Sequence, residues 1–371
     1  MIRVVLILSA FLIYTGFKAL QLSPLHPYLM ISITIIFFLS MIASMFVGRS
    51  KPAYFEMKWF MFLTWIGSLF MGFLGTFILI SIPIDVIHGL ISLIAGKTFF
   101  TQEAYQIIFS IVVFITLLGF LQVLLGPKIK NVTVSMEALP KGLEGLTIAQ
   151  ISDLHIGPTI QSRYVEKVVR KTNATNADII VITGDLVDSH TASIKKHLQP
   201  LRNLKSRYGV FYVTGNHEYY WGIDSLLPEL VNVEINVLMN TNKIIEHNGH
   251  KLMIAGIPDP MGRQFSNLHK PDIESSRKSG EKTDLNILLA HRPDPYESAE
   301  KLGFDIQFSG HTHAGQFFPF SLLIPIAHKY YRGLNRHGKM WLYVNPGTGY
   351  WGPANRFGIA SEITLVKLSK S

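Results

Sequence analysis

The side chains able to do chemistry in this 371-residue sequence fall in five short clusters, each following a run of β-prone apolar residues. Asp153 and His155 follow Leu146 to Ile151, and Gly184-Asp185 follows Asp178 to Thr183. Gly215-Asn216-His217-Glu218 follows Gly209 to Val213, His291 follows Asn286 to Ala290, and Gly310-His311-Thr312-His313 follows Ile306 to Ser309. Carboxylate, imidazole and amide oxygen are donors for hard-to-borderline divalent ions. The chain has no cysteine, which excludes thiolate ligands and disulfides. One aspartate can bridge two ions through both oxygens. Two ions about 3.5 to 4 Å apart clamp the attacking and leaving oxygens of an in-line displacement at phosphorus. Glycines beside the donors allow close backbone approach.

Elements that could position these clusters alternate in type. Helical patterns over Arg163 to Thr172, Ser193 to Leu204, Asp224 to Val231 and Pro295 to Leu302 separate the strands, and a hairpin over Lys243 to Ile257 turns at Asn248-Gly249. The segment from Met340 onward reads as strands and loops. Such alternation predicts an α/β domain. In open α/β sheets ligands bind at the carboxyl ends of strands, so the five loops are expected to converge.

The N-terminal third is different. Hydrophobic residues make up 48% of the chain and charged residues only 16%. Before Lys128 the only Lys/Arg are Arg3, Lys18, Arg49, Lys51, Lys58 and Lys97, and the only acids Glu56, Asp85 and Glu103. About 20 apolar residues cross a bilayer, which predicts four transmembrane helices near residues 2–20, 28–47, 59–82 and 105–125. The first lacks a cleavage site and reads as a retained span. Val86 to Ala95 is too short to span and reads as an interfacial or re-entrant piece. With four spans, Arg3, Arg49, Lys51, Lys58, Lys128 and Lys130 share one side against Lys18 and Lys97, which puts the following domain in the cytoplasm. No Asp, Glu, Lys or Arg lies inside these spans apart from Arg3 and Lys18 at the ends of the first, which argues against a transporter. The net charge of +9 suits a phosphorylated partner, but no Lys/Arg block with interleaved aromatics points to nucleic acid.

In order, D-x-H, G-D, G-N-H-E, H and G-H-x-H resemble the calcineurin-like metallophosphoesterases, over about residues 131 to 368. Ser152 to His155, Gly310 to Gln316, Asn345 to Gly349 and Arg356 to Gly358 resemble most its membrane-bound YkuE/YaeI-like subgroup. The resemblance implies a two-sheet α/β sandwich flanked by helices over 131–371, behind an all-α transmembrane region over 1–127. It implies one metal ion on Asp153, His155, Asp185 and His313 and another on Asp185, Asn216, His291 and His311, the metals being Mn, Zn, Fe or Mg. Asp185 would bridge, a water activated between the ions would attack phosphorus, and His217 would protonate the leaving oxygen. Arg292 and Arg356 are expected at a substrate phosphate or in surface ion pairs. Glu218, Asp188 and Asp259 are expected to orient imidazoles or cap helices. Phe317 to Ile326, apolar but interrupted by Pro319 and Pro325, is expected to touch the membrane. The implied activity is hydrolysis of a phosphodiester, pyrophosphate or phosphomonoester at a bacterial inner membrane, with a lipid-linked compound such as UDP-2,3-diacylglucosamine as substrate. The alternative is a non-catalytic scaffold or phospho-ligand sensor.

Overall fold

The computed structural model describes residues 10, 13–18, 27–47, 57–96 and 101–371. Helix α1 covers Pro27–Val47, α2 Lys58–Ala95 and α3 Gln102–Leu125. Among the described residues, α2 and α3 are long and apolar enough to cross a membrane. Most of the expected span 2–20 lies outside the described residues, as do Arg3, Arg49, Lys51 and Lys97; residues 13–18 are helical.

The segment Val86 to Ala95 is not a separate re-entrant piece. It continues α2, a 38-residue helix with Pro83 inside it, about 57 Å long at 1.5 Å per residue. A proline removes one helical hydrogen bond, but packing between apolar helices keeps the helix going. Asp85, beyond the expected span end at residue 82, therefore lies within the same apolar helix. It is paired: Lys18 Nζ donates to it at 2.8 Å, Tyr14 Oη at 2.6 Å and Tyr105 Oη at 2.7 Å. Gly67 lets α2 approach the Ser40 carbonyl of α1, where a Cβ would clash.

From α3 the chain passes through Gly126 and Pro127 into strand β1 (Lys128–Met136). The remaining strands are β2 (Thr147–Ile151), β3 (Ile179–Thr183), β4 (Val210–Val213), β5 (Ile235–Val237), β6 (Thr241–His247), β7 (His250–Gly256), β8 (Leu285–Leu289), β9 (Ile306–Ser309), β10 (Gly333–His337), β11 (Met340–Val344) and β12 (Glu362–Lys370). They form two six-stranded sheets, ordered β1-β12-β2-β3-β4-β5 and β10-β11-β9-β8-β7-β6. Ile148, Val181 and Phe211 of the first sheet share a core with Ile254, Ile287 and Phe308 of the second. Strands buried on both faces read as continuous apolar runs, which is why β3 (IIVIT) was legible. Helices α4 (Ser162–Asn173), α5 (Thr191–Leu198), α6 (Asn216–Trp221) and α7 (Ile223–Asn232) follow the strands of the first sheet. The single helix expected over 193–204 is divided: α5 ends at Leu198 and a 3₁₀ turn, with Pro200 in its first positions, takes over at Gln199.

The apolar helices pack against the α/β domain. Val123 of α3 belongs to the core formed by the outer face of the first sheet with α4 to α7. The loop after β11 inserts between α2 and α3. Ser68 Oγ donates to the Gly352 carbonyl at 2.7 Å, and the Arg356 amide donates to the Gly119 carbonyl at 3.2 Å. A Cβ at Gly119 would fall on the Asn355 side chain, so only glycine allows this approach.

Candidate metal centre

Strands β2, β3, β4, β8 and β9 end side by side, and the expected donors stand on the loops just beyond them. Asp153, His155, Asp185, Asn216, His217, His291 and His313 are buried. Asp153 (φ 51°), His155 (φ 54°), Asp185 (φ 48°), His311 (φ 71°) and His313 (φ 49°) all adopt the left-handed backbone conformation. Outside glycine this costs on the order of 1 to 3 kcal/mol and clusters at functional sites. It turns each side chain from the strand end toward a common centre.

Three groups of donor atoms result, each within 4.8 Å: Asp153, His155 and His313; His155, Asp185 and His217; and Asp185, His291 and His311. His155 Nε2 lies 3.1 Å from His313 Nε2, and His313 Nε2 lies 3.4 Å from Asp153 Oδ1. His291 Nε2 lies 3.2 Å from Asp185 Oδ2 and 3.2 Å from His311 Nδ1. At such distances two ring nitrogens share a single proton or turn their lone pairs toward one ion. Asn216 Oδ1 and His155 Nδ1 are buried without a hydrogen-bond partner, and unsatisfied buried polar atoms are rare in folded chains. An orphaned buried oxygen and closely set O/N donors fit divalent cations.

Neighbouring groups fix the ring orientations. His291 Nδ1 lies 2.8 Å from the Thr183 carbonyl, which can only accept, so Nε2 is left facing Asp185. The Asp153 carboxylate accepts from the His311 amide at 3.0 Å, and Asp185 Oδ1 accepts from the His217 amide at 2.9 Å. His217 Nδ1 is 3.0 Å from Asp188 Oδ1, which also accepts from Trp221 Nε1 at 2.9 Å.

Burial, with His217 adding to it, lowers His155 to about 3. Burial, with His291, lowers His311 to about 2. Burial and then Arg356 hold His313 well below the usual imidazole range. These rings are neutral at pH 7, the form that ligates metal. Burial also opposes charge on His217 and His291, but Asp185, joined by Asp188 at His217 and by Asp153 at His291, outweighs it and raises them to about 9 and about 10. Burial raises Asp153 to about 6. In Asp185 the same push is overcome by His291, His217 and His155, which hold it well below the ordinary carboxylate range.

The profile of the calcineurin-like phosphoesterases matches residues 146–315. An uncharacterized metallophosphoesterase of Aquifex aeolicus is 32% identical over 261 residues, covering 67% of this chain and 98% of that protein. The chain belongs to the calcineurin-like phosphoesterase family. An uncharacterized metallophosphoesterase of Helicobacter pylori is 39% identical over 252 residues, 67% of this chain and 66% of the relative. A transmembrane protein with metallophosphoesterase domain from Danio rerio is 33% identical over 280 residues, 73% of this chain and 64% of the relative. The matched region thus spans about two thirds of the length of these last two.

Not every expected residue of this calcineurin-like site faces its open side. Arg356 is fully buried rather than set for a substrate or a surface ion pair. Its guanidinium donates to the Gly349 and Pro346 carbonyls and lies 3.1 Å from His313 Nδ1, so it backs that ring. Arg292 Nε donates to Asp259 at 2.8 Å, and its side chain is 27% exposed. Asp188 orients His217, as expected. Glu218 caps helix α6 by accepting from the amide of its N-cap residue Gly215, and it accepts from the Asp185 and Leu186 amides as well, tying two of the loops together. The Thr183 carbonyl that orients His291 carried no signal in the sequence, because a backbone acceptor is the same in every residue. The segment 317–326 holds a 3₁₀ turn and a short helix, α10 when counted after α8 (Ile273–Arg277) and α9 (Tyr296–Lys301). Phe320, Leu322, Leu323 and Ile326 in it are exposed.

Proposed function

We propose that the chain is a membrane-anchored phosphohydrolase that uses two divalent metal ions to cleave a phosphodiester, a pyrophosphate or a phosphomonoester. The observation that carries this reading is Asp185, whose carboxylate belongs both to the group with His155 and to the group with His291 and His311. One ion would be held by Asp153, His155, Asp185 and His313, and the other by Asp185, Asn216, His291 and His311. Bound there, Mn, Zn, Fe or Mg would polarise the phosphoryl oxygens and bring the pKa of water toward neutrality.

The chain's own groups do the rest. Asp185 supplies the shared carboxylate. His217, held through Nδ1 by Asp188, keeps Nε2 4.0 Å from Asp185 Oδ2, where it can donate a proton to the leaving oxygen. Arg292, partly exposed and pinned by Asp259, stands ready as a phosphate contact.

The chain is read as two units, a region of four spans over 1–127 and the hydrolase over 131–371. The early part of α2 and the late part of α3 both meet the domain, which supports Lys58 and Lys128 lying on its side of the membrane. That charge placement favours the cytoplasm of a bacterial cell. Phosphoesters carried on lipids, such as UDP-2,3-diacylglucosamine, suit this location. Detergent-purified full chain is expected to hydrolyse bis-p-nitrophenyl phosphate or p-nitrophenyl phosphate with Mn²⁺, and to lose turnover with EDTA or in Asp185→Asn. No turnover of either compound, together with no bound metal by elemental analysis, would overturn the reading in favour of a non-catalytic scaffold.

A further inference from the structure

A cavity of about 600 Å³ adjoins the metal centre. His155, Asp188 and His217 form its polar end. Tyr220 and Trp351 flank the reactive imidazole, with ring centroids 5.3 and 5.6 Å from that of His217. The opposite wall comes from the N-terminal region: Thr64, Ser68, Met71 and Gly75 of α2 line the same cavity. Their spacing of four, three and four residues makes one stripe along a helix.

This wall offers little to a polar ligand. Ser68 Oγ is already donating to the Gly352 carbonyl at 2.7 Å, and the stripe carries no charge. Met71 is flexible and adapts to an irregular apolar guest. Gly75 lets α2 close on Phe317, which also lines the cavity; a Cβ there would stand only 3.3 Å from Phe317 Cζ. A hydrophilic substituent pushed against this face would lose water without gaining partners. An alkyl chain would gain about fourfold in affinity per methylene fully buried.

We propose that α2 is a wall of the reaction chamber and that Met71 and Gly75 select a phosphoester bearing an apolar chain next to the scissile phosphorus. The selection rests on the phosphohydrolase reading above, while the apolar wall itself does not. The helix is then part of the specificity machinery as well as an anchor. The polar end takes the phosphoryl group and the stripe takes the chain.

The test compares ethyl p-nitrophenyl phosphate with hexyl p-nitrophenyl phosphate, monoanions with the same leaving group that differ by four methylenes. Full chain with Mn²⁺ should show a hexyl-to-ethyl ratio of kcat/KM of about ten or more. Met71→Trp and Gly75→Leu, which fill the chamber, should bring the ratio close to one, and Met71→Leu, of similar volume, should keep it. The ratio is insensitive to the fraction of folded protein, and partition into detergent is common to all variants. A ratio near one in the unsubstituted chain, or one unchanged by both filling substitutions, overturns the proposal. Binding of ethylphosphonate and hexylphosphonate, measured by calorimetry, separates the two claims. A hexyl preference in binding without turnover of either ester upholds the apolar wall and sinks the phosphohydrolase reading. Equal turnover and equal binding of both chain lengths do the reverse.

Discussion

Asp85 and Asp185 are both acids set in apolar surroundings, and the two regions answer their charge in different ways. Between the helices, one ammonium and two phenols close on Asp85 within 2.8 Å, so the carboxylate is satisfied by side chains of its own region. At the strand ends, Asp185 faces His291, His155 and His217 at 3.2 to 4.0 Å, with Asn216 Oδ1 orphaned beside it. The first cluster is complete as folded, while the second leaves the buried Asn216 Oδ1 and His155 Nδ1 without partners, an open set of donors that fits a cation. Strain follows the same division: five donors of the second cluster hold left-handed backbone. A closed polar network ties elements together, whereas an open one stores the means to bind.

If this contrast is right, the same kind of substitution should have unequal effects. Asp185→Asn should lower kcat on bis-p-nitrophenyl phosphate by on the order of 10³-fold, the loss of several kcal/mol of metal-dependent stabilisation. Bound metal by elemental analysis should fall with it. Mn²⁺ at about 100 times its Kd should stabilise the chain by about 2.7 kcal/mol, and no such gain should appear in Asp185→Asn; a shift of equal size in both would deny the open cluster its cation. Asp188→Asn, which weakens the hold on His217 without removing a metal donor, should reduce kcat by about 10- to 100-fold at unchanged metal content. Smallest is Asp85→Leu. Loss of its hydrogen bonds, tempered by partial exposure, should cost about 1 to 2 kcal/mol, seen as a lower thermal midpoint by circular dichroism. Turnover should stay within about twofold, since the sites are independent. A large loss of turnover there would mean that the helices and the metal centre are coupled more tightly than the contrast allows.

The N-terminal region is also more than a tether. Val123 lies in the core of the α/β domain, and the loop that carries Arg356 to His313 passes between α2 and α3. None of this was legible in the sequence. An apolar helix reads the same whether lipid or protein covers it, and Gly119 gives no sign that Asn355 will occupy its face. Arg356 was misread for a related reason, since arginine is usually exposed and only the fold shows three carbonyl and imidazole acceptors gathered around it. The expected span ended at residue 82, just before Pro83, where local rules stop a helix, yet interhelical packing carried α2 through to Ala95.

The sequence by itself determined the candidate donors and their order, because metal chemistry demands particular residue types and β runs placed each type at a strand end. It also determined most elements of the α/β domain, whose periodicities are local, though not β1 or the break after Leu198. Only the tertiary structure decided which donors share Asp185, which arginine backs a ring and which stays partly exposed, and that a helix of the N-terminal region closes the chamber. Those outcomes depend on contacts between segments far apart in the chain, and residue type alone does not encode distance.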